Sequence, residues 1–309
     1  MLRKKRIVQV CIILVVFVSA GYFGTYYIRR WTADKSWIKD FGYQENEIYT
    51  MTFHNTCPEI PVSIGSIEYT LLFDTGCGSG LALTTELNDK ISYKLLGEIE
   101  ELNRDGSHRG WSKNVQIDEM AVFTQVFEDV QTSIADWRMF SSKKFNGIIG
   151  LEYFQSKVIT LDYPGHRIAV SSNPIDTSKL DPEKYVILPL HKPTNQSQFF
   201  LPFFEAEYNG EPVMVYMDTG KNYSYINNPS CNISFNDSLS DRSQNYTDVS
   251  IKLGSREIML KQIVQVNDLA QADGLPYPIM LEINSDQIWK SGLLVTFDLI
   301  DQRVIIRIR

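Results

Sequence analysis

Basic residues, cysteines, histidines and helical periodicity are the scarce features of this 309-residue sequence. Against 37 Asp and Glu there are 30 Lys and Arg, a formal net charge of −7. A surface that tracks a phosphate backbone needs clustered cations, so no nucleic-acid partner is expected. Cys11, Cys57, Cys77 and Cys231 form no Cys-x-x-Cys pair, which indicates neither a zinc site nor a dense disulfide scaffold. His54, His108, His166 and His191 lie apart, with no His-x-x-x-His or Glu partner at ligand spacing, so no metal is expected. The glycine-rich stretch Gly76-Cys77-Gly78-Ser79-Gly80 lacks the Lys-Ser/Thr ending of a phosphate loop. Ser79 likewise lacks the Gly-x-Ser-x-Gly flanks of a hydrolase nucleophile, and no cofactor is implied. Gly and Pro are too few for a fibrous chain, and 43% hydrophobic residues are too many for a disordered one. The length suits about two domains.

One long apolar run is present, from Ile7 to Ile28, preceded by Arg3, Lys4, Lys5 and Arg6 and stopped by Arg29 and Arg30. About 20 such residues cross a bilayer as a helix, and Tyr22, Phe23, Tyr26 and Tyr27 resemble an interfacial aromatic belt. The expectation is a cytoplasmic basic head (1–6), a transmembrane signal-anchor (7–28) and a single-pass protein of the cell membrane, its C-terminal domain outside the cytoplasm. The alternative is secretion after signal-peptide cleavage, since Val18-Ser19-Ala20 precedes Gly21. Cys11 has no lipobox around it. Residues 29–44 read as a short tether.

Beyond the tether, short β-rich runs between turn residues dominate. They include Glu59–Ile67, Tyr69–Phe73, Val115–Phe123, Val158–Leu161, Arg167–Val170, Phe203–Tyr208, Val213–Met217, Val249–Leu253 and Val295–Arg309. Helical candidates are short: Thr85–Leu95, Gly150–Ser156 and Ser285–Lys290. An internal repeat orders these runs. Leu71-Leu72-Phe73-Asp74-Thr75-Gly76 is echoed 144 residues later by Tyr216-Met217-Asp218-Thr219-Gly220. Ile159-Thr160-Leu161-Asp162 with Arg167-Ile168-Ala169-Val170 is echoed 136 residues later by Val295-Thr296-Phe297-Asp298 with Arg303-Val304-Ile305-Ile306. Two lobes of one design follow, 45–172 and 184–309, joined by a Ser-, Pro- and Asp-rich connector at 173–183. With both lobes in one chain, a monomer is expected.

An Asp-Thr-Gly turn after an apolar strand has a definite chemistry. The strand fixes the Asp, Gly lets backbone N–H groups approach the carboxylate, and Thr offers a hydroxyl to a partner loop. Two such turns, meeting on a pseudo-two-fold axis, would set two carboxyls side by side. Such a pair cannot ionise fully and holds one proton in common. One member then takes a proton from water while the other protonates or polarises an amide carbonyl.

These motifs resemble the pepsin and retropepsin type of aspartic protease, in particular bacterial single-chain forms with a retropepsin-like unit in each lobe. The likeness covers most of residues 45–309. Asn146-Gly147-Ile148-Ile149-Gly150-Leu151 resembles the family's segment behind the catalytic loop, and Val158-Ile159-Thr160-Leu161-Asp162-Tyr163 its closing strand. The resemblance implies a mostly β, two-lobed acid-protease barrel fold with an N-terminal transmembrane helix. It implies Asp74 and Asp218 as the catalytic dyad, supported by Thr75, Gly76, Thr219 and Gly220, with water as nucleophile and neither metal nor covalent intermediate. The function expected is a membrane-anchored aspartic endopeptidase acting on peptide or protein substrate.

Departures from the pattern leave a second function open. Cys77 and Lys221 replace the Ser or Ala that usually follows the catalytic Gly. An ammonium near the dyad would favour its ionised state and weaken the acid half of the chemistry. A side chain turned to solvent would not. The first case points to an inactive peptide-binding or sensor domain. A glycosidase with paired carboxylates is a further alternative, requiring separations of about 5 Å or more. In lobe two, Ile279-Met280-Leu281 occupies the region of the two-apolar-then-Gly segment, with Leu281 where Gly would sit. A candidate flap is Leu102–Ser107, with Asp105 and Gly106 forming a hairpin tip and Trp111 behind it.

Overall fold

The structure is a computed structural model and describes residues 34–102, 108–136, 145–235 and 245–308. The apolar run Ile7–Ile28 and its basic head lie outside the described residues. Among those described, no helix is long and apolar enough to cross a membrane.

The chain is mostly β. Helix α1 (Ser36–Phe41) opens it, followed by β1 (Ile48–Thr50), β2 (Thr52–His54), β3 (Cys57–Ile64), β4 (Ile67–Phe73) and β5 (Leu81–Thr84). Next come β6 (Lys94–Leu102), β7 (His108–Val122), β8 (Gln125–Ala135), β9 (Gly147–Ile149), β10 (Val158–Asp162) and β11 (Arg167–Ser171). The second half contains β12 (Tyr185–Pro189), β13 (Phe203–Tyr208), β14 (Glu211–Met217), β15 (Tyr225–Asn227), β16 (Tyr246–Leu253), β17 (Arg256–Val266) and β18 (Ile279–Ile283). Helix α2 (Ser285–Lys290), β19 (Leu294–Asp298) and β20 (Arg303–Arg307) complete it.

The two halves build the same ring of six strands. In the second half β13-β14-β18-β15-β17-β16 form a closed barrel. In the first, β3-β4-β9-β5-β8-β7 follow the same order, and pairing of β3 with β7 (Val62↔Val122, Ile64↔Met120) closes them. Alternation drives closure: in β3 Ile60, Val62 and Ile64 are buried while Glu59, Pro61 and Ser63 are partly exposed. Strand β6 adds to β7 outside this ring.

A third, six-stranded sheet joins the halves in the order β1-β11-β10-β19-β20-β12. Its centre is the antiparallel pair β10–β19, where Val158 faces Asp298 and Asp162 faces Leu294, so the repeated residues exchange roles across a local two-fold. Thr160 and Thr296 meet there, their hydroxyls 2.7 Å apart. All five residues of each central strand are buried, which is why they read as continuous apolar runs.

Three expectations change. From Asp34 onward the supposed tether is part of the folded body. Trp37, Phe41 and Tyr43 are buried against Val158, Ala169, Leu294 and Ile305 on one face of the joining sheet. Trp37 Nε1 donates to Asp162 Oδ2 (3.2 Å), and the Tyr43 hydroxyl pairs with Thr160 (2.8 Å). A mixed polar and aromatic stretch hides this amphipathic turn, because its three aromatics pack only once the sheet exists. Of the helical candidates, Ser285–Lys290 forms α2, whereas 3₁₀ turns occupy Thr85–Leu87 and Leu151–Phe154. The Val295–Arg309 run is two strands, broken where the Asp298 carboxylate accepts from the Asp301 N–H (3.1 Å) and pairs with Arg303. Asp162 holds its own turn in the same way, through Gly165 N–H and Arg167.

Candidate active site

Strands β4 and β14 end in fully buried anchors, Phe73 and Met217, and deliver the next residues, Asp74 and Asp218, to the seam between the rings. A parallel neighbour fixes each strand end. Asp74 N–H donates to the Ile149 carbonyl of β9 (2.9 Å), and Asp218 N–H to the Ile283 carbonyl of β18 (2.8 Å). Each carboxylate then accepts from the N–H of its own glycine: Gly76 to Asp74 Oδ1 (2.8 Å) and Gly220 to Asp218 Oδ1 (3.0 Å).

The glycines serve the opposite half as well. A Cβ on Gly76 would collide with the Asp218 carboxyl, and one on Gly220 with that of Asp74. Only glycine lets the two turns approach this closely. The threonines lock the approach. Thr75 Oγ1 donates to the Met217 carbonyl (2.7 Å) and accepts from Thr219 N–H (3.0 Å). Thr219 Oγ1 donates to the Phe73 carbonyl (2.6 Å) and accepts from Thr75 N–H (2.9 Å). Both side chains are buried, so these four bonds satisfy groups that water cannot reach.

The Asp74 and Asp218 carboxyls meet at the seam, each set against the glycine of the opposite turn and each shifting the other's titration. Burial first, and then the Asp218 charge, push the Asp74 carboxyl well above the ordinary carboxylate range. Burial also raises Asp218, with Lys221 opposing that rise and Glu282 adding to it. The pair therefore carries a proton at pH values where an exposed Asp would have lost it. Asp74 is only partly buried and Gly220 is exposed, so the dyad is open to water on one side.

Lys221 stands where the first half has Cys77, yet its ammonium is held by Glu282 Oε2 at 3.2 Å rather than by the dyad carboxyls. It also lies 4.5 Å from the Phe235 ring centroid and 5.9 Å from that of Tyr225. Glu282 is fully buried on β18 and went unnoticed in the sequence. Its one signal was a charged residue within an apolar run.

The segment behind the second loop is also shifted from its expected place. Leu72 and Phe73 pair with Ile148 and Ile149, while Tyr216 and Met217 pair with Glu282 and Ile283. Asn284, not Leu281, therefore occupies the place of Gly150. Gly150 N–H donates to the Gly80 carbonyl (2.7 Å), whereas Asn284 N–H donates to Ser224 Oγ (2.9 Å) and the Asn284 side chain caps α2. Ser285 Oγ anchors α2 to the Thr219 carbonyl (2.9 Å).

For the candidate flap, β6 and β7 form an antiparallel hairpin in which Trp111 lies opposite Glu100 and is 63% exposed. Asp105 and Gly106 lie outside the described residues. Cys57, Cys77 and Cys231 are free thiols. Cys57 lies behind the first loop, its Sγ 3.6 Å from the Phe73 carbonyl. Among the described residues no cluster of three His, Cys, Asp or Glu could hold a metal ion. The chain matches no protein-family model and no curated protein.

Proposed function

We propose that this protein is a membrane-anchored aspartic endopeptidase of pepsin and retropepsin type, cutting peptides that lie extended across the seam between its two rings. The observation that carries the reading is the pair of carboxyls, 144 residues apart, each set against the glycine of the opposite turn and cross-braced by Thr75 and Thr219. Asp218 is buried and Asp74 partly so, each against the opposing glycine, which keeps a proton on one of them.

In the reaction, one carboxylate takes a proton from water as the water oxygen bonds to the carbonyl carbon. The other carboxyl gives its proton to the carbonyl oxygen, forming a neutral gem-diol. Collapse of the diol breaks the C–N bond. The dyad hands one proton to the amine nitrogen, regains another from the diol hydroxyl and ends with the single proton it began with.

The test is incubation of the full-length chain in detergent with a peptide library from about pH 3 to pH 8. Asp74→Asn and Asp218→Asn should each abolish cleavage while the circular-dichroism spectrum stays unchanged. Cleavage that survives in both variants would falsify the reading. Peptides bound but never cut by the wild type would make the molecule a binding domain instead.

A further inference from the structure

The two loops are not equal, and the inequality is concentrated at one place. In the first half the residue after the catalytic glycine, Cys77, packs with Ala82 and Ile148 in a small apolar cluster. The second half places Lys221 and Glu282 at the positions of Cys77 and Ile148, as the repeat spacing and the β4–β9 and β14–β18 registers show. An apolar contact beside one carboxyl has thus been exchanged for an ion pair beside the other. Glu282 is buried, the partly exposed Lys221 ammonium rests over Phe235 and Tyr225, and the Lys221 carbonyl accepts from Asn284 Nδ2 (3.2 Å). Burying the Glu282 carboxylate is costly in desolvation, and a Cys–Ile contact would serve packing equally well, so packing alone does not explain it.

We propose that Lys221 and Glu282 are a positioning pair that assigns the shared proton of the dyad to Asp74, leaving Asp218 as the carboxylate that activates water. The assignment rests on the peptidase reading for its role in catalysis, but not for its geometry. Lys221 follows Asp218 by three residues in the same turn, its N–H donating to the Asp218 carbonyl (3.3 Å), while Asp74 arrives from the other half. The ammonium opposes burial at both carboxyls, and it is Asp218 whose turn it shares. Glu282 tempers it, preventing full ionisation of the dyad. The other titratable groups near the pair are the Cys57 thiol on β3 with Glu59 beyond it, the Cys77 thiol and the Glu152 carboxyl. Both thiols are kept protonated by burial and bring no charge.

Two readouts test the proposal on the full-length chain in detergent. One is the titration of ¹³C-labelled Asp carboxyls, assigned with Asp74→Asn and Asp218→Asn. The other is the pH profile of peptide cleavage. In the wild type, the first macroscopic deprotonation should fall mainly on Asp218. The double variant Lys221→Cys/Glu282→Ile copies the first half. It should spread that step over both carboxyls and move it, with the acid limb of the profile, up by about one pH unit. Glu282→Gln leaves the ammonium unopposed and should move both the other way, while Lys221→Arg should retain the wild-type behaviour. A first step carried by Asp74 in the wild type, or titrations unchanged in both the double variant and Glu282→Gln, overturns the proposal. If the carboxyls titrate as expected but no peptide is cut at any pH, the proton assignment stands and the peptidase reading fails.

Discussion

Thr219 shows how much one side chain decides at this seam. Its hydroxyl serves Thr75 N–H and the Phe73 carbonyl, both in the other half, and Thr75 repays this with Met217 and Thr219 N–H. Thr219→Val keeps the shape but strands Thr75 N–H and leaves the Phe73 carbonyl only the weak Cys57 thiol donor, an unsatisfied group costing about 1–3 kcal/mol. Urea unfolding should therefore show a loss of roughly 1–3 kcal/mol; a loss indistinguishable from zero would mean that the crossing bonds contribute nothing. The dyad acts on stability with the opposite sign. Burial raises Asp74 above the ordinary aspartate value of about 3.9, so the folded state binds more protons than the unfolded one once pH exceeds that value. Stability must then fall as pH rises from there toward the folded-state value. Asp74→Asn removes the buried charge, and thermal melts should show it more stable than the wild type near neutrality, with the advantage vanishing in acid. The two Asp-Thr-Gly turns were legible because each is a local pattern of three residues. Glu282 was not, because only the parallel β14–β18 pairing brings it to Lys221.

Among elements, α1 carries the clearest consequence. Trp37 has no exposure and spans the joining sheet from outside, donating its Nε1–H to Asp162. Trp37→Ala should cost about 3–5 kcal/mol and lower the melting temperature accordingly, whereas Trp37→Phe should recover most of the packing. A melting temperature unmoved by the alanine change would mean that α1 is dispensable to the fold. The strands were readable from alternation and apolar runs, Phe203–Tyr208 to the residue. Thr85–Leu95 misled because Leu87 and Leu95 fit a helical stripe, yet Leu87 is buried beneath a 3₁₀ turn and Leu95 starts an exposed arm of the β6–β7 hairpin. Periodicity counts apolar residues without knowing which surface receives them.

At the scale of the molecule, the halves are held by the β10–β19 ladder, the threonine cross-braces and an apolar core continuous from Ile60 and Phe73 to Phe204 and Leu281. The connector is a strap, tied down by Arg303 donating to the Ile175 carbonyl (2.7 Å), and its Asp181, Pro182 and Glu183 are exposed. A specific protease site inserted there and cut should leave two fragments that co-elute in size-exclusion chromatography and melt in one transition. Fragments that part without denaturant would show that the connector, not the shared sheet, unites the halves.

The sequence by itself determined the β character, the two repeated frames and the carboxylate turns, since each is written in residues close along the chain. Strand pairing within the rings and in the joining sheet decided that the turns meet, that Lys221 finds Glu282, and that Trp37 seals a sheet woven from both halves. Those contacts join residues far apart in the chain, and only the order and register of the strands bring them together.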